Sequence, residues 1–298
     1  MNATLQKISK LTFGTELEYT NITREHAARA IQSVIGGMIE LTGGAYDAWT
    51  VIAPDGRQWK AVRDGSLGDP RTSAEVVSPI LRYEDMDNLQ EIVRALRKAG
   101  AKTPECTSQH VHIGVGDWTP RQIANLARIY YKQEVLIMKA VGTLPNRMAR
   151  YTKPTDREFI DRLESAKPAT KEELNKAWFG SYNPNPAHYD SHRYRGMNLN
   201  NVWRTGTVEL RIYNGATHAG VVKANILLAL ALAAKAFAAK CASTKKPREY
   251  SETSAKYDFR VLLLNLGMNG EEFKNTRMHL LKNLPGSAAW KNGRPAGR

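Results

Sequence analysis

Polar and hydrophobic residues alternate in three short segments of the chain: Glu16-Leu17-Glu18, His110-Val111-His112 and Glu209-Leu210-Arg211. Because successive side chains of a β-strand point to opposite faces, each triplet places two functional groups on one face and an aliphatic residue on the other. If the three strands belong to one sheet, carboxylates, imidazoles and a guanidinium share a face. The pattern therefore predicts a sheet with one face suited to divalent metal and phosphate.

The pattern elsewhere predicts further strands and helices. Strands are predicted over residues 11–19, 46–53, 58–62, 74–79, 194–200 and 207–213, with a hairpin turn at Pro54-Asp55-Gly56-Arg57. Helices are predicted from Thr23 to Gly36-Gly37, over residues 84–99, from Thr119-Pro120 to about residue 141, and over residues 219–240, 257–266 and 271–283. The apolar run 219–240 is interrupted by Lys223, Asn225 and Lys235, so it predicts a buried core helix and not a membrane span.

This order of elements favours one class of fold. A parallel doubly wound sheet needs a crossover between successive strands, whereas this chain has a tight hairpin and no familiar glycine-rich phosphate loop. We therefore expect an α+β fold: a curved, mainly antiparallel sheet with helices on one face and the active site on the concave face. A catalytic domain is expected over residues 1–240, with a lid or insertion at 145–190. A basic helical extension is expected over 241–298, with disorder in the last dozen residues.

Composition limits the partners and the compartment. The chain has 298 residues, is 42% hydrophobic and carries a formal net charge of +14. This charge favours anionic partners such as nucleotides, nucleic acid, acidic peptides or acidic polymers, without choosing among them. Cys106 and Cys241 lack metal-type spacing and the N-terminal residues lack an apolar run of signal-peptide length, so we expect a cytoplasmic protein without membrane attachment.

Acidic and histidine side chains on the predicted strands are candidate metal ligands. Glu16 and Glu18 suit Mg²⁺ or Mn²⁺ as paired carboxylates, although such a pair, taken alone, is more typical of a solvated strand face. Glu75 lies in another apolar strand, where a carboxylate needs a cation or solvent. His110 and His112 by themselves would suit zinc, but the carboxylates favour Mg²⁺ or Mn²⁺.

Glu209 and Arg211 combine an acid and a guanidinium on one strand face. They form either a cross-strand ion pair, which contributes little if exposed, or a metal ligand beside a contact to a transferring phosphate. Four further candidates for nucleotide contacts precede this strand: Arg193, Arg195, Asn198 and Arg204. Each arginine alone is typical of a surface, but together they predict clamps for phosphate and carboxylate.

Five short motifs occur in a fixed order along the chain. They are Phe13-Gly14-Thr15-Glu16-Leu17-Glu18, then Asp64-Gly65-Ser66-Leu67 with Glu75-Val76-Val77-Ser78-Pro79, then His110-Val111-His112, then Arg193-Tyr194-Arg195-Gly196-Met197-Asn198, and finally Thr207-Val208-Glu209-Leu210-Arg211. This series resembles the amidoligase family, one of the glutamine synthetase-like carboxylate–amine ligases. The resemblance covers roughly residues 11–240.

The resemblance implies two metal sites that share the Glu-x-Glu strand. Glu16 would bind one Mg²⁺ or Mn²⁺ with His110 and Glu209, and Glu18 would bind the other with Glu75.

The resemblance also implies roles around these metals. Arg211 would meet the γ-phosphate of ATP, and Arg195 or Arg204 would contact a nucleotide phosphate. His112 would either bind metal or orient its neighbours. Asp64 would complete the second metal site or accept a proton from the amine.

These roles imply an ATP-dependent ligase that joins a carboxylate to an amine through an acyl phosphate. A guanidino phosphotransferase would use the same catalytic fold and stop after phosphoryl transfer to nitrogen. A metal-dependent nuclease, or a nucleic-acid-binding protein with a decayed site, would also suit acidic ligands and a basic surface. The net charge favours an anionic substrate, and nucleic acid remains a candidate partner.

Overall fold

The computed structural model describes residues 2–245 and 251–293. Its strands are β1 (Phe13–Thr20), β2 (Met38–Gly43), β3 (Ala48–Ile52), β4 (Gln58–Val62), β5 (Ser73–Val77), β6 (Ser108–Gly114), β7 (Met197–Asn198) and β8 (Thr207–Asn214). They form one sheet in the order β2-β3-β4-β5-β1-β6-β8-β7, with every neighbouring pair antiparallel. The predicted α+β fold with a mainly antiparallel sheet is therefore confirmed.

The helices of the described residues occupy the segments between these strands and the C-terminal part. They are α1 (Ala3–Ile8), α2 (Arg24–Ile35), α3 (Met86–Lys98), α4 (Pro120–Val141), α5 (Pro145–Arg150), α6 (Arg157–Ala166), α7 (Lys171–Phe179), α8 (Ala219–Ala238), α9 (Ala255–Asn265) and α10 (Lys274–Leu281). Residues 145–190, the segment expected to be a lid or insertion, form short helices and loops.

Helix α8 packs against one face of the sheet. On β6, the Gln109 side-chain nitrogen donates to the Val222 carbonyl, and the Asn225 amide donates to the Gln109 side-chain oxygen. Val111, two residues further along β6, therefore points to the same helical layer and is fully buried. The neighbouring residues His110 and His112 consequently point to the opposite face.

The predicted helix boundaries agree with the structure where capping residues are present. The Thr23 hydroxyl accepts a hydrogen bond from the His26 amide at the start of α2. Thr119 and Gln122 form a capping box at the start of α4, followed by Pro120. After α2, Gly37 has φ +84°, and a Cβ there would lie 2.0 Å from the Ile52 carbonyl oxygen. The chain can therefore turn back into β2 only with glycine at this position.

The strands of the structure differ from the predicted ones in two places. The first is β2, which the sequence pattern does not predict. It lies at the sheet edge with Met38 and Leu41 exposed, so its residues show no apolar alternation. The strand predicted over 194–200 is only two residues long, Met197–Asn198. The residues on either side of it do not extend the strand. Arg195 pairs with Lys153 in an isolated bridge, and residues 200–202 form a 3₁₀ turn.

Helix α8 is long and apolar enough to cross a membrane by length and composition alone, but 72% of its most apolar window is buried inside the protein. It contacts α1, α3, α4, α10 and β6. In the C-terminal part, Phe259 and Phe273 are fully buried in the same hydrophobic core as Leu17. Part of the tail predicted to be disordered, residues 294–298, lies outside the described residues.

The burial of Leu17 between the sheet and the helical layer predicts its contribution to stability. Leu17→Ala should lower the free energy of unfolding by about 2–5 kcal/mol, because it removes buried methyl groups and leaves a cavity. Leu41→Ala, on the exposed edge strand, should change it by less than about 0.5 kcal/mol. Urea unfolding measures both, and equal losses would contradict the placement of Leu17 in the core.

Candidate active site

The three polar triplets lie on adjacent strands, and their functional side chains form a row across one face of the sheet. The antiparallel register pairs Glu75 with Glu18, Glu16 with His110, and His112 with Glu209. Glu16 and Glu18 are two residues apart on β1, and His110 and His112 are two apart on β6, so the pleat points each pair to the same face. Glu75 and Glu209 lie on that face because each is paired with a member of the row. Their neighbours Val76, Leu17, Val111 and Leu210 are buried. The predicted separation of a polar face from an apolar face is confirmed.

Glu16 lies at the centre of the row. Its Oε2 is 2.8 Å from His110 Nδ1, and its Oε1 is 3.1 Å from His112 Nε2. His110 Nδ1 is also 3.4 Å from Glu209 Oε1. Both imidazoles thus contact the same carboxylate, and His112 belongs to the row as fully as His110.

The ligand atoms fall into three overlapping groups, each with its atoms within 4.8 Å of one another. The groups are Glu16 with His112 and Glu209, Glu16 with Glu75 and His110, and Glu18 with Asp64 and Glu75. The resemblance implies a metal site of His110, Glu16 and Glu209 and leaves the role of His112 open. The geometry gathers His112 with Glu16 and Glu209, while His110 also contacts both carboxylates. It brings Asp64 to the Glu18 end.

Negative charge accumulates at the Glu75 end of the row. Burial, together with the nearby carboxylates of Glu16, Glu18 and Asp64, raises the pKa of Glu75 well above its ordinary value. A cation among these carboxylates would relieve both effects, and oxygen ligands with one imidazole suit Mg²⁺ or Mn²⁺. The residues present therefore fit a divalent metal.

Positive charge balances the other end. Burial disfavours ionisation of Glu209, but Arg211 and the two histidines outweigh it and lower its pKa to about 2. Burial likewise opposes the charged form of His112, yet the carboxylates of Glu16 and Glu209 raise its pKa to about 9. Glu16 also stays ionised, because the two histidines outweigh its burial and hold its pKa well below the ordinary value.

Hydrogen bonds from neighbouring residues hold Glu209 in place. Its Oε2 accepts from the side-chain amides of Asn198 at 2.7 Å and Asn201 at 3.2 Å. Its Oε1 accepts from Arg211 Nη1 at 2.5 Å. At the other end of the row, the Ser108 backbone amide donates to Glu18 Oε2 at 2.7 Å. Asn198, a predicted nucleotide contact, therefore positions a carboxylate.

Arg211 is buried, and its Nε has no hydrogen-bond partner among the described residues. Its backbone carbonyl accepts from Arg147 Nη2 at 2.8 Å, so Arg147 ties α5 to β8 beneath the site. Arg211 thus places a buried positive charge beside Glu209, with one N–H donor that no described residue satisfies.

Two cavities meet at the row, and Glu16 and His188 line both. Cavity A, of about 1160 Å³, lies on the side of Glu16 and His112. Its walls carry cations and apolar groups: Lys7, Lys10, Pro79, Ile80, Arg82, Trp118, Arg204 and Phe237. Cavity B, of about 860 Å³, lies over Glu18, Asp64 and Glu75. Its walls are rich in arginine and tyrosine: Tyr46, Arg63, Arg147, Arg150, Tyr151, Tyr189, Arg193, Tyr194 and Arg211.

The three arginines predicted to form phosphate and carboxylate clamps lie in different parts of the structure. Arg204 lines cavity A and donates to the Pro186 carbonyl, and Arg193 lines cavity B and donates to the His188 carbonyl. Arg195 is not among the described lining residues of either cavity. Its guanidinium contacts Asp156 Oδ2 at 3.3 Å and the Pro154 carbonyl at 3.0 Å. These two contacts hold the Arg195 guanidinium against residues 154–156, next to Lys153, with which the Arg195 backbone pairs.

Sequence reasoning missed several residues of the cavity walls. Lys7 and Lys10 come from the N-terminal helix region, Trp118 precedes the cap of α4, and Phe237 lies at the end of α8. The rings of Trp118 and Phe237 meet with centroids 5.3 Å apart. These residues share no local motif, so only the packing of α8 beside α4 brings them together.

Comparison with known proteins identifies a family whose matched region contains the row. A family model described as "Putative amidoligase enzyme" matches residues 9–233. The chain belongs to this family. The resemblance stated from the five motifs is therefore confirmed, and the matched range includes every residue of the row. Membership indicates an enzyme of the ligase type. A search of the curated proteins gave no match.

The charged state of His112 predicts a pH dependence of stability in metal-free protein. The pKa of His112 is about 9 when folded and ~6.5 when unfolded, so its stabilisation is complete below ~6.5 and is lost as the pH rises through 9. The unfolding free energies of wild type and His112→Gln should converge by roughly 3 kcal/mol between about pH 6 and 9.5.

Urea unfolding in EDTA measures this convergence. His26→Gln provides the control, because His26 is exposed on α2, and its difference from wild type should stay flat. A His112→Gln difference that does not change with pH would contradict the charged imidazole.

Proposed function

We propose that this amidoligase-family member is an ATP-dependent carboxylate–amine ligase with the fold of a glutamine synthetase catalytic domain. The observation that carries the proposal is the row from Glu75 to Glu209 at the junction of two cavities, with Arg211 beside it. A junction of this kind suits a reaction in which two reactants approach one phosphoryl group from different sides.

Two divalent cations would complete this site. Glu16, His112 and Glu209 would hold one, with His110 close enough to join, and Glu18, Asp64 and Glu75 would hold the other. When bound, such cations neutralise the charge of ATP phosphates and help to align them.

Cavity A suits the nucleotide. Trp118 and Phe237 offer an apolar surface to a base, and Arg204 with Lys7 and Lys10 offers cations to phosphates. The γ-phosphate would then lie where the two cavities meet, next to Arg211 on the side of cavity B.

The first chemical step is phosphoryl transfer to the substrate carboxylate. A carboxylate oxygen attacks the γ-phosphorus, the bond to the β-phosphate oxygen breaks, and an acyl phosphate and ADP are formed. Arg211 would stabilise the charge on the phosphoryl oxygens, while Asn198 and Asn201 keep Glu209 from rotating away.

The second step forms the amide. The amine nitrogen attacks the acyl carbon, inorganic phosphate leaves, and one proton of the ammonium must be accepted. Asp64 lines cavity B beside Glu18 and Glu75, so it is placed to take that proton in the alternative in which Glu18 and Glu75 hold the second cation without it. Binding both the carboxylate donor and the amine in cavity B would keep the acyl phosphate away from bulk water.

Loss of ADP formation tests the proposal. Glu16→Ala and Glu209→Ala should each lower ADP formation by about 100-fold or more, because each removes a charge that organises the transferring phosphate. The assay supplies Mg²⁺-ATP with pooled amino acids, amines and acidic peptides, and mass spectrometry identifies products that have lost one water.

Glu40→Ala is the matched control, since Glu40 is exposed on the edge strand β2, and it should retain full activity. Undiminished ADP formation in Glu16→Ala would refute the proposal. A phosphorylated amine or guanidine in place of an amide would identify a phosphotransferase.

Metal binding gives a second, independent test. Because burial and neighbouring carboxylates raise the pKa of Glu75, entry of Mn²⁺ should displace its proton and raise the melting temperature. Calorimetric titration in two buffers of different ionisation enthalpy measures the protons released.

Glu75→Gln should release fewer protons and bind Mn²⁺ at least roughly tenfold more weakly. Glu40→Gln should match wild type. Binding of Mn²⁺ that is unchanged in Glu75→Gln would contradict the assignment of Glu75 as a ligand.

A further inference from the structure

The outer wall of cavity B carries arginines without acidic partners. Arg63 and Arg150 make no side-chain hydrogen bond or ion pair with the described residues, and Arg193 donates only to the His188 carbonyl. Arg147, deeper in the wall, is different, because its guanidinium is satisfied by the carbonyls of Tyr213 and Arg211. Three guanidinium groups at the wall are therefore free to bind a ligand.

Tyrosine rings hold two of these arginines in place. The Arg193 guanidinium lies 5.5 Å from the Tyr189 ring centroid and 5.8 Å from that of Tyr194. The Arg150 guanidinium lies 4.8 Å from the ring centroid of Tyr151. Stacking of this kind leaves the edge of the guanidinium, with its N–H donors, available to a carboxylate or a phosphate.

Cavity B has room for a ligand that extends beyond the reacting group. Its volume of about 860 Å³ falls in the upper part of the range for pockets that bind whole small ligands. The same cavity is lined by the acidic row and by Arg63, Arg150 and Arg193, which come from the loop after β4, helix α5 and the segment before β7. A carboxylate at the row would therefore leave room for further groups along this wall.

The charge balance in cavity B, which rests on the proposed function, indicates the chemistry of those groups. With divalent cations on the row, the carboxylates of Glu18, Asp64 and Glu75 are compensated. Among the described lining residues, Glu105 is then the acidic side chain left to face the free arginines. Arg63 and Arg150 are exposed and Arg193 is partly buried, so the wall presents an excess of positive charge to an entering ligand.

We infer that the carboxylate donor carries at least one further acidic group, a carboxylate or a phosphate, which binds Arg63, Arg150 and Arg193 at a distance from the reacting carboxylate. Cavity B thereby selects a multiply anionic substrate, such as a short acidic peptide, over an amino acid with one carboxylate.

Equilibrium binding without ATP tests this inference separately from catalysis. The probes are triglutamate, trialanine and 3-phosphoglycerate, titrated into the full chain with Mg²⁺ at fixed salt. Wild type should bind triglutamate, 3-phosphoglycerate or both roughly tenfold more tightly than trialanine. The stronger of the two anionic probes identifies carboxylate or phosphate as the second group.

The variant Arg63→Gln/Arg193→Gln should bind the anionic probes no more than about threefold better than trialanine. The control is Arg97→Gln/Arg121→Gln, which removes the same charge from exposed helix positions that are not among the lining residues of either cavity. It should bind as wild type does. Circular dichroism confirms that both variants are folded.

Equal binding of all three probes, or equal loss in both double variants, would overturn the inference. Its failure is distinguishable from failure of the proposed ligase. Selective anion binding without ADP formation from any substrate would refute the ligase and leave the anion site. ADP formation as efficient with trialanine as with triglutamate would refute the anion site and leave the ligase.

Discussion

Repulsion between carboxylates that the strand register forces together is the constraint on which the rest of this structure depends. Glu75 on β5 lies opposite Glu18 on β1, and Glu16, two residues before Glu18, points to the same face. Such proximity costs free energy in a chain without a compensating charge. The buried aliphatic residues on the opposite face of the same strands offset that cost, since slipping the register by one residue would expose them.

The compensation of this charge differs along the row. At one end, His112 and Arg211 supply positive charge directly to Glu16 and Glu209, and His110 contacts Glu16. At the other end, Asp64 and Glu75 form no ion pair with the described residues, and burial and the neighbouring carboxylates raise the pKa of Glu75. The row thus has uncompensated carboxylates at one end and a fixed guanidinium beside Glu209 at the other, which supports the roles proposed for the second cation and for Arg211.

The two cavities also differ in the side chains that line their walls. Cavity A combines the aromatic pair Trp118 and Phe237 with lysines, whereas cavity B presents stacked arginines such as Arg193. Glu16 borders both, so a group bound in either cavity reaches the same carboxylate. In the proposed reaction, ATP and the carboxylate donor would therefore meet at the row without sharing the rest of their binding surfaces.

Local patterns in the sequence determined the elements and much of the row. Alternation identified the strands that carry Glu16, His110 and Glu209, and capping residues such as Thr23 and Thr119 identified helix starts, because both signals act within a few residues. The tertiary structure alone decided which strands are neighbours, that His112 joins Glu16 and Glu209, that Arg195 turns to Asp156, and where the two cavities form. These features depend on the packing of distant segments, which buries apolar area between them and leaves no short-range signal.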